Sequence, residues 1–285
     1  MKSSTIILIV IILLSLIGLG IGLYFLLIRE IKTKCQQLTD EASRRNYPIQ
    51  YTNWVINPWT PNSVYQAMYL VIGSDILYCN PAEFQPFMNK MIPNFNDSTN
   101  IETTENVGFM FVKDTYTVIS IRGTSNLEDV ITDISYKLTA NLPFKGSTGA
   151  MIHSGFAKAY STIFPQIQKF IMSKNPSNTV LFVGHSLGAA LSILFAYDFK
   201  VNYGKNVKFL ASGSPKIGNQ MLINDLNKAD GWNTINVNDI VPKEPSEKDY
   251  VQIKDVHYID FQLGSDLQNH SIIGYMDYMK NIISY

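Results

Sequence analysis

The run 179–198 constrains this chain more than any other stretch. Thr179, Val180, Leu181, Phe182 and Val183 are apolar, β-branched or aromatic, the composition of a short buried strand. Gly184-His185-Ser186-Leu187-Gly188 follows at once. Ala189, Ala190, Leu191, Ile193, Leu194 and Phe195 then read as a tightly packed helix. Strand, Gly-x-Ser-x-Gly, helix is the setting of a nucleophile elbow, a sharp turn that lifts a serine hydroxyl above a sheet. The two glycines leave room where a Cβ would collide with a neighbouring strand or helix. The helix N-terminus just beyond supplies backbone N–H groups without intrahelical partners. The pentapeptide alone is a weak signal, and an ordinary tight turn is its plain alternative. The flanking strand and helix favour Ser186 as a nucleophile.

The rest of the sequence divides into three parts. Residues 6–28 are 23 consecutive uncharged positions. At 1.5 Å per residue they reach about 34 Å, enough to span a hydrocarbon core. A cleaved signal has a shorter apolar region of about 7–15 residues and a small-residue cleavage site. The sequence therefore predicts a retained single-pass anchor over 1–29. A stalk and surface-wrapping segment over 30–62 follows, then one domain over 63–285. Lys2 lies on one side of the run and Arg29, Lys32 and Lys34 on the other. The basic-residue count favours a cytosolic domain, whereas a secretory-type insertion puts it outside or in a lumen. Both stay open. Asn96-Asp97-Ser98 and Asn269-His270-Ser271 are formal glycosylation sequons.

With 23 basic and 23 acidic residues the chain carries no net charge, which gives no electrostatic reason to expect nucleic acid. Cys35 and Cys79 form neither a cysteine scaffold nor a zinc spacing; one disulfide and two free thiols are both compatible. Strands and helices alternate through the middle, so the domain is predicted to be α/β with a mainly parallel sheet. Residues 63–78 and 153–172 carry helical apolar faces. Residues 107–112 and 116–121 read as a hairpin turned at Lys113-Asp114. Residues 84–100 read as a loop with a short helix at most. Strands are expected over 206–210 and 232–237, an edge hairpin over 250–263 and a last helix over 271–283.

A serine hydroxyl needs a base, and the base needs an acid to hold its tautomer. His257 and His270 are the histidines that follow Ser186. His257 lies within an alternating strand run and reads as structural. His270 follows a polar loop before a helix and is preferred as the base. His185 is expected to pack and hydrogen-bond, and His153 to be a buried donor at a helix start. Asp239, just past a predicted strand end, is the preferred acid, because catalytic groups collect at strand ends in open α/β sheets. Asp255, Asp260 and Asp266 are rivals that read more simply as solvated charges. The oxyanion needs donors. The N–H of Leu187 is one, and Thr124, after Gly123 at an earlier strand end, is the other. Residues 125–134 form an amphipathic pattern, predicted as a mobile lid or a fixed surface helix.

Several segments, taken in order, resemble the class 3 lipase family of fungal triacylglycerol lipase-like α/β-hydrolases. They are Ile121-Arg122-Gly123-Thr124, His153-x-Gly155-Phe156, Gly184-His185-Ser186-Leu187-Gly188-Ala189-Ala190, Ser212-Gly213-Ser214-Pro215-Lys216-Ile217-Gly218-Asn219, Asn238-Asp239-x-Val241-Pro242 and His270-x-x-x-x-Tyr275. The resemblance covers about residues 63–275. It implies an α/β-hydrolase fold, a triad of Ser186, Asp239 and His270, and oxyanion donors at Thr124 and Leu187. It also implies hydrolysis of lipid esters, most readily acylglycerols, through an acyl-enzyme with no metal or organic cofactor. A phospholipase or small-ester esterase is the close alternative. A membrane-anchored scaffold on an inactive hydrolase fold is the non-enzyme one. Val130 stands where members often carry a lid tryptophan. The apolar N-terminus is not typical of the secreted fungal enzymes.

Overall fold

The computed structural model describes residues 60–79, 81–92, 95–103, 107–123 and 137–283. The expected anchor helix, residues 30–59 of the stalk, Cys35, Thr124 and the amphipathic segment 125–134 lie outside the described residues. Among the described residues no helix is long and apolar enough to cross a membrane.

The chain opens with helix α1 (Pro61–Cys79) and helix α2 (Pro81–Met91). Strands β1 (Asn96–Glu102), β2 (Val107–Lys113) and β3 (Tyr116–Ile121) follow as an antiparallel set. A two-residue ribbon, β4 (Leu138–Thr139) with β5 (Ile152–His153), leads into helix α3 (Ser154–Met172). Then come β6 (Thr179–His185), helix α4 (Leu187–Val201), β7 (Val207–Ser212), helix α5 (Gln220–Leu226), β8 (Asp230–Asn236) and β9 (Val256–Ile259). The short α6 (Asp266–Asn269) and the helix α7 (Ile272–Ile283) end the described chain. Among the described residues seven strands form one sheet in the order β1-β2-β3-β6-β7-β8-β9, parallel from β3 onward.

Alternation along the strands builds a core on each face. In β6, Val180 and Phe182 join the cluster formed with α3, α4 and α5, while Leu181 and Val183 join the one formed with α1, α2 and α7. Neighbouring strands follow suit, with Ile119 and Phe209 on the first side and Val118 and Leu210 on the second. A strand buried on both faces must be apolar throughout, which is why 179–183 reads as one continuous run. Each fully buried side chain of this size contributes about 1.5–3 kcal/mol.

Three expectations are corrected. Residues 84–100 hold more than a loop with a short helix: 84–91 continue α2, whose last residue is Met91, and 96–100 belong to β1. The strand was hidden because Ile101 is its buried residue among polar, exposed ones, as suits a sheet edge. Residues 250–263 are not a hairpin: β9 is a single strand paired parallel to β8, and Val251 makes an isolated bridge to Gly218. The β2–β3 turn is centred one residue later, at Asp114-Thr115, with Asp114 at φ 52° and Lys113 still paired to Tyr116. Of the two sequons, Asn96 is exposed on β1, whereas Asn269 is buried.

Candidate active site

Ser186 sits between β6 and α4 at φ 58° and ψ −127°, a conformation costly for a residue with a Cβ. Backbone packing enforces it. A Cβ on Gly184 would lie 2.1 Å from the Gly188 carbonyl oxygen, and a Cβ on Gly188 would lie 2.1 Å from the Ile121 carbonyl oxygen. Both glycines are therefore required by close backbone approach. The Ser186 N–H donates to the Ser212 carbonyl at 3.0 Å, and its own carbonyl accepts from Ala189 and Ala190 at 3.0 and 3.2 Å. These bonds tie the elbow to β7 and start α4. The Ser186 hydroxyl is buried and has no hydrogen-bond partner among the described residues.

Asp239 follows β8 and is fully buried. Its Oδ1 accepts from the Val241 N–H at 2.9 Å. Its Oδ2 accepts from Nδ1–H of His270 at 2.6 Å and from the Tyr275 hydroxyl at 2.7 Å. The bond fixes the proton of a neutral His270 on Nδ1 and leaves Nε2 as the acceptor. Nε2 is buried with no hydrogen-bond partner among the described residues, like the Ser186 hydroxyl. Tyr275 also accepts from the Asn236 N–H at 2.9 Å. Burial, and then the charge of Asp239, push the Tyr275 phenol well above its usual range, so it stays a donor.

The ring of His185 stacks on that of His270 with centroids 4.4 Å apart. The carbonyl of His270 accepts from His185 Nε2–H at 2.8 Å, so Nδ1 of a neutral His185 accepts from the Ser212 hydroxyl at 3.0 Å. Burial, with the neighbouring His270 second, holds His185 well below the usual histidine range. His185 therefore stays neutral and places no second charge beside His270. The expected packing and hydrogen-bonding role of His185 matches this geometry.

Two asparagines hold the acid and histidine loops together. The side chain of Asn236 donates to the Asn269 carbonyl at 3.2 Å and accepts from Asn238 and Phe261 N–H groups. The side chain of Asn269 accepts from the Leu263 N–H at 2.7 Å and donates to the Asn238 carbonyl at 3.2 Å. Sequence reasoning missed both, since a lone asparagine beside a loop carries no signal of its partners.

The remaining candidates fall in different places. Leu187 is the first residue of α4, where N–H groups lack intrahelical partners. Thr124 lies outside the described residues, but its neighbour Gly123 lies over the serine: a Cβ there would be 3.1 Å from the Ser186 Cβ. His257 is exposed and stacked on Trp232 with centroids 3.4 Å apart, away from the triad residues' contacts. Asp255, Asp260 and Asp266 are exposed. His153 caps α3 as an acceptor rather than as the expected donor: its Nδ1 accepts from the Gly155 N–H at 3.1 Å. Burial lowers its pKa to about 4. Among the described residues no group of three or more His, Cys, Asp or Glu is placed to hold a metal ion.

A family model described as "Lipase (class 3)" matches residues 118–248, which include Ser186 and Asp239. The secreted mono- and diacylglycerol lipase A of Penicillium cyclopium is 27% identical over 220 residues, 74% of this chain and 70% of that protein. The crystal structure of the Lip2 lipase of Yarrowia lipolytica has a TM-score of 0.61 at 26% identity, covering 70% of this chain and 78% of that one. The triacylglyceride lipase of Rhizomucor miehei has a TM-score of 0.60 at 20% identity, covering 70% and 79%.

Proposed function

We propose that this chain, which belongs to the class 3 lipase family and is a serine ester hydrolase acting on lipid esters, cleaves acylglycerols with Ser186 as nucleophile, His270 as base and Asp239 as its orienting acid. The observation that carries the assignment is the Asp239–His270 bond of 2.6 Å, with a serine held at φ 58° beside a histidine that stacks on His270. His270 Nε2 takes the Ser186 proton as Oγ attacks the acyl carbonyl. Asp239 stabilises the resulting imidazolium, and Tyr275 and the Val241 N–H keep that carboxylate in place. The N–H of Leu187 and Thr124 donate to the oxyanion. His270 then protonates the departing alcohol, and water activated by the same imidazole releases the fatty acid.

The acylglycerol assignment is supported by the Penicillium relative, named as a mono- and diacylglycerol lipase. The uncharged run 6–28 supports a membrane anchor over 1–29, with 30–62 as stalk and 63–285 as the hydrolase domain. Tethered in this way, the enzyme meets its substrate in the membrane that holds it.

The test is fatty-acid release by the full chain in detergent, with Ser186→Ala as the blank. The panel holds triacylglycerol, diacylglycerol, monoacylglycerol, phosphatidylcholine and a short water-soluble ester. Fastest Ser186-dependent release from an acylglycerol is the expected result. Fastest release from phosphatidylcholine or the short ester replaces the substrate assignment with a phospholipase or esterase. Release that survives in Ser186→Ala removes the nucleophile assignment. Resistance of the full chain, but not of residues 30–285, to alkaline carbonate extraction of membranes tests the anchor.

A further inference from the structure

Helix α1 is joined to the carboxyl end of β3 by a polar seam that the hydrolytic chemistry does not itself require. Ser74 Oγ and Ser120 Oγ lie 2.7 Å apart, both fully buried, and Ser120 donates to the Leu70 carbonyl at 2.9 Å. One residue along α1, the Asp75 carboxylate accepts from Arg122 Nε–H at 3.0 Å. Three residues further on, the Tyr78 ring lies against the Arg122 guanidinium, 3.8 Å from its carbon to the ring centroid. Arg122 is buried, and the Asp75 side chain keeps 21% of its exposure.

This ion pair is poorly explained as a source of stability. Burial pushes the Asp75 carboxyl up to about 6, against the opposing pull of the Arg122 charge and hydrogen bond. A carboxylate whose site resists its ionisation subtracts from stability at neutral pH. Buried ion pairs in general are weak evidence for stability and are better attested as devices that fix position. Position matters at this point in the chain. Ile121, Arg122 and Gly123 form the segment packed against the elbow. A Cβ on Gly188 would lie 2.1 Å from the Ile121 carbonyl oxygen and 2.8 Å from that of Arg122. A Cβ on Gly123 would lie 3.1 Å from both the Ser186 Cβ and the His185 carbonyl oxygen. A shift in the Arg122 backbone therefore moves Gly123 relative to the Ser186 hydroxyl.

We propose that Asp75 is a positioning residue for ester hydrolysis: its pair with Arg122, backed by the Tyr78 ring, holds the end of β3 and Gly123 in register with Ser186. The inference rests on Ser186 being the nucleophile. Asp75 touches neither substrate nor the reacting atoms and acts through Arg122. The Ser74–Ser120 contact seats α1 on β3 independently, so neutralising Asp75 removes the clamp without removing the helix.

The experiment compares wild type, Asp75→Asn, Asp75→Glu and Ser186→Ala as full chains in detergent, measuring kcat, KM for a short water-soluble ester, and melting temperature. Asp75→Asn is expected to lower kcat about 10- to 100-fold, the scale of a misplaced reacting group. KM should stay within about twofold, and the melting temperature should fall, because Arg122 is left buried without its carboxylate. Asp75→Glu should recover part of kcat. A purely structural pair lowers the melting temperature in the same way but leaves kcat of the folded fraction unchanged, and overturns the proposal. Unchanged kcat in a folded Asp75→Asn overturns it as well. Should Asp75→Asn not fold, Tyr78→Leu decides, because Tyr78 is 40% exposed. A lowered kcat at unchanged KM then supports the clamp, and wild-type values overturn it. Wild type without Ser186-dependent turnover overturns the nucleophile assignment and the clamp with it. Ser186-dependent turnover alongside a fully active Asp75→Asn overturns the clamp alone.

Discussion

Ser186 is held by backbone packing, and His270 by side-chain hydrogen bonds. At the elbow, carbonyl groups of Gly188 and Ile121 occupy the space that side chains on Gly184 and Gly188 would need. The serine then has one backbone conformation open to it, at φ 58°. At the acid and histidine loops directed hydrogen bonds do most of the holding, although a Cβ on Gly213 would lie 2.9 Å from His270 Cε1. Asp239 accepts bonds from Val241, His270 and Tyr275, and Asn236 and Asn269 hold the two loops together. The first arrangement fixes a nucleophile by exclusion and tolerates no added atom. The second fixes a base by directed bonds, and each donor or acceptor is removable with a graded cost. The two halves should therefore fail differently when changed.

The largest expected effect lies in the hydrogen-bonded half. Asp239→Asn should keep the fold but lower kcat about ten-thousandfold, because an amide no longer holds the His270 tautomer. Steady-state hydrolysis beside a melting curve checks both parts. Gly188→Ala probes the packed half. Its Cβ, 2.1 Å from the Ile121 carbonyl oxygen, should destabilise the domain by about 4 kcal/mol or more, seen as lost soluble protein or a steep fall in melting temperature. A well-folded Gly188→Ala of normal activity would contradict the account of the elbow.

Acid should separate loss of fold from loss of chemistry. His153 belongs to neither half, and burial lowers its pKa from 6.5 to about 4. The unfolded chain then binds the proton more readily than the native one. Stability is fully present above about pH 6.5 and is lost as pH falls through about 4, by up to about 3 kcal/mol. His153→Gln should flatten this part of the melting-temperature profile. A profile unchanged by that substitution would remove His153 from the account. Tyr275→Phe is the mildest change. It removes the donor 2.7 Å from Asp239 and the acceptor 2.9 Å from the Asn236 N–H. It should lower kcat about tenfold, in keeping with a lost hydrogen bond to a charged group. A fall as large as that of Asp239→Asn would mean that the bonds are not graded, and the contrast between the halves would collapse.

The same contrast explains what was legible in the sequence. The elbow is local: a strand, five residues and a helix are contiguous, and their constraint is written in adjacent letters. The helices over 61–79, 154–172 and 272–283 and the parallel strands of the core were legible for a similar reason, since their apolar spacing repeats within one segment. The hydrogen-bonded half depends on positions 236, 239, 269, 270 and 275, which pair only after folding. Asp239 and His270 could be preferred from strand ends and motif order, whereas Asn236, Asn269 and Asp75 carried no local sign of their partners. Edge strand β1 was missed because its polar, exposed residues lack the alternation that marks a half-buried strand. Strand β9 was misread because four residues cannot declare whether they pair parallel or antiparallel.

The most direct test of the central claim is covalent. The full chain is treated with a fluorophosphonate ester, digested, and the modified residue located by mass spectrometry, in wild type and in His270→Ala. The account predicts stoichiometric modification of Ser186 in wild type and modification slowed at least about a thousandfold in His270→Ala. Modification of a different serine, or equal rates in the two proteins, would contradict the assignment of Ser186 as a nucleophile activated by His270.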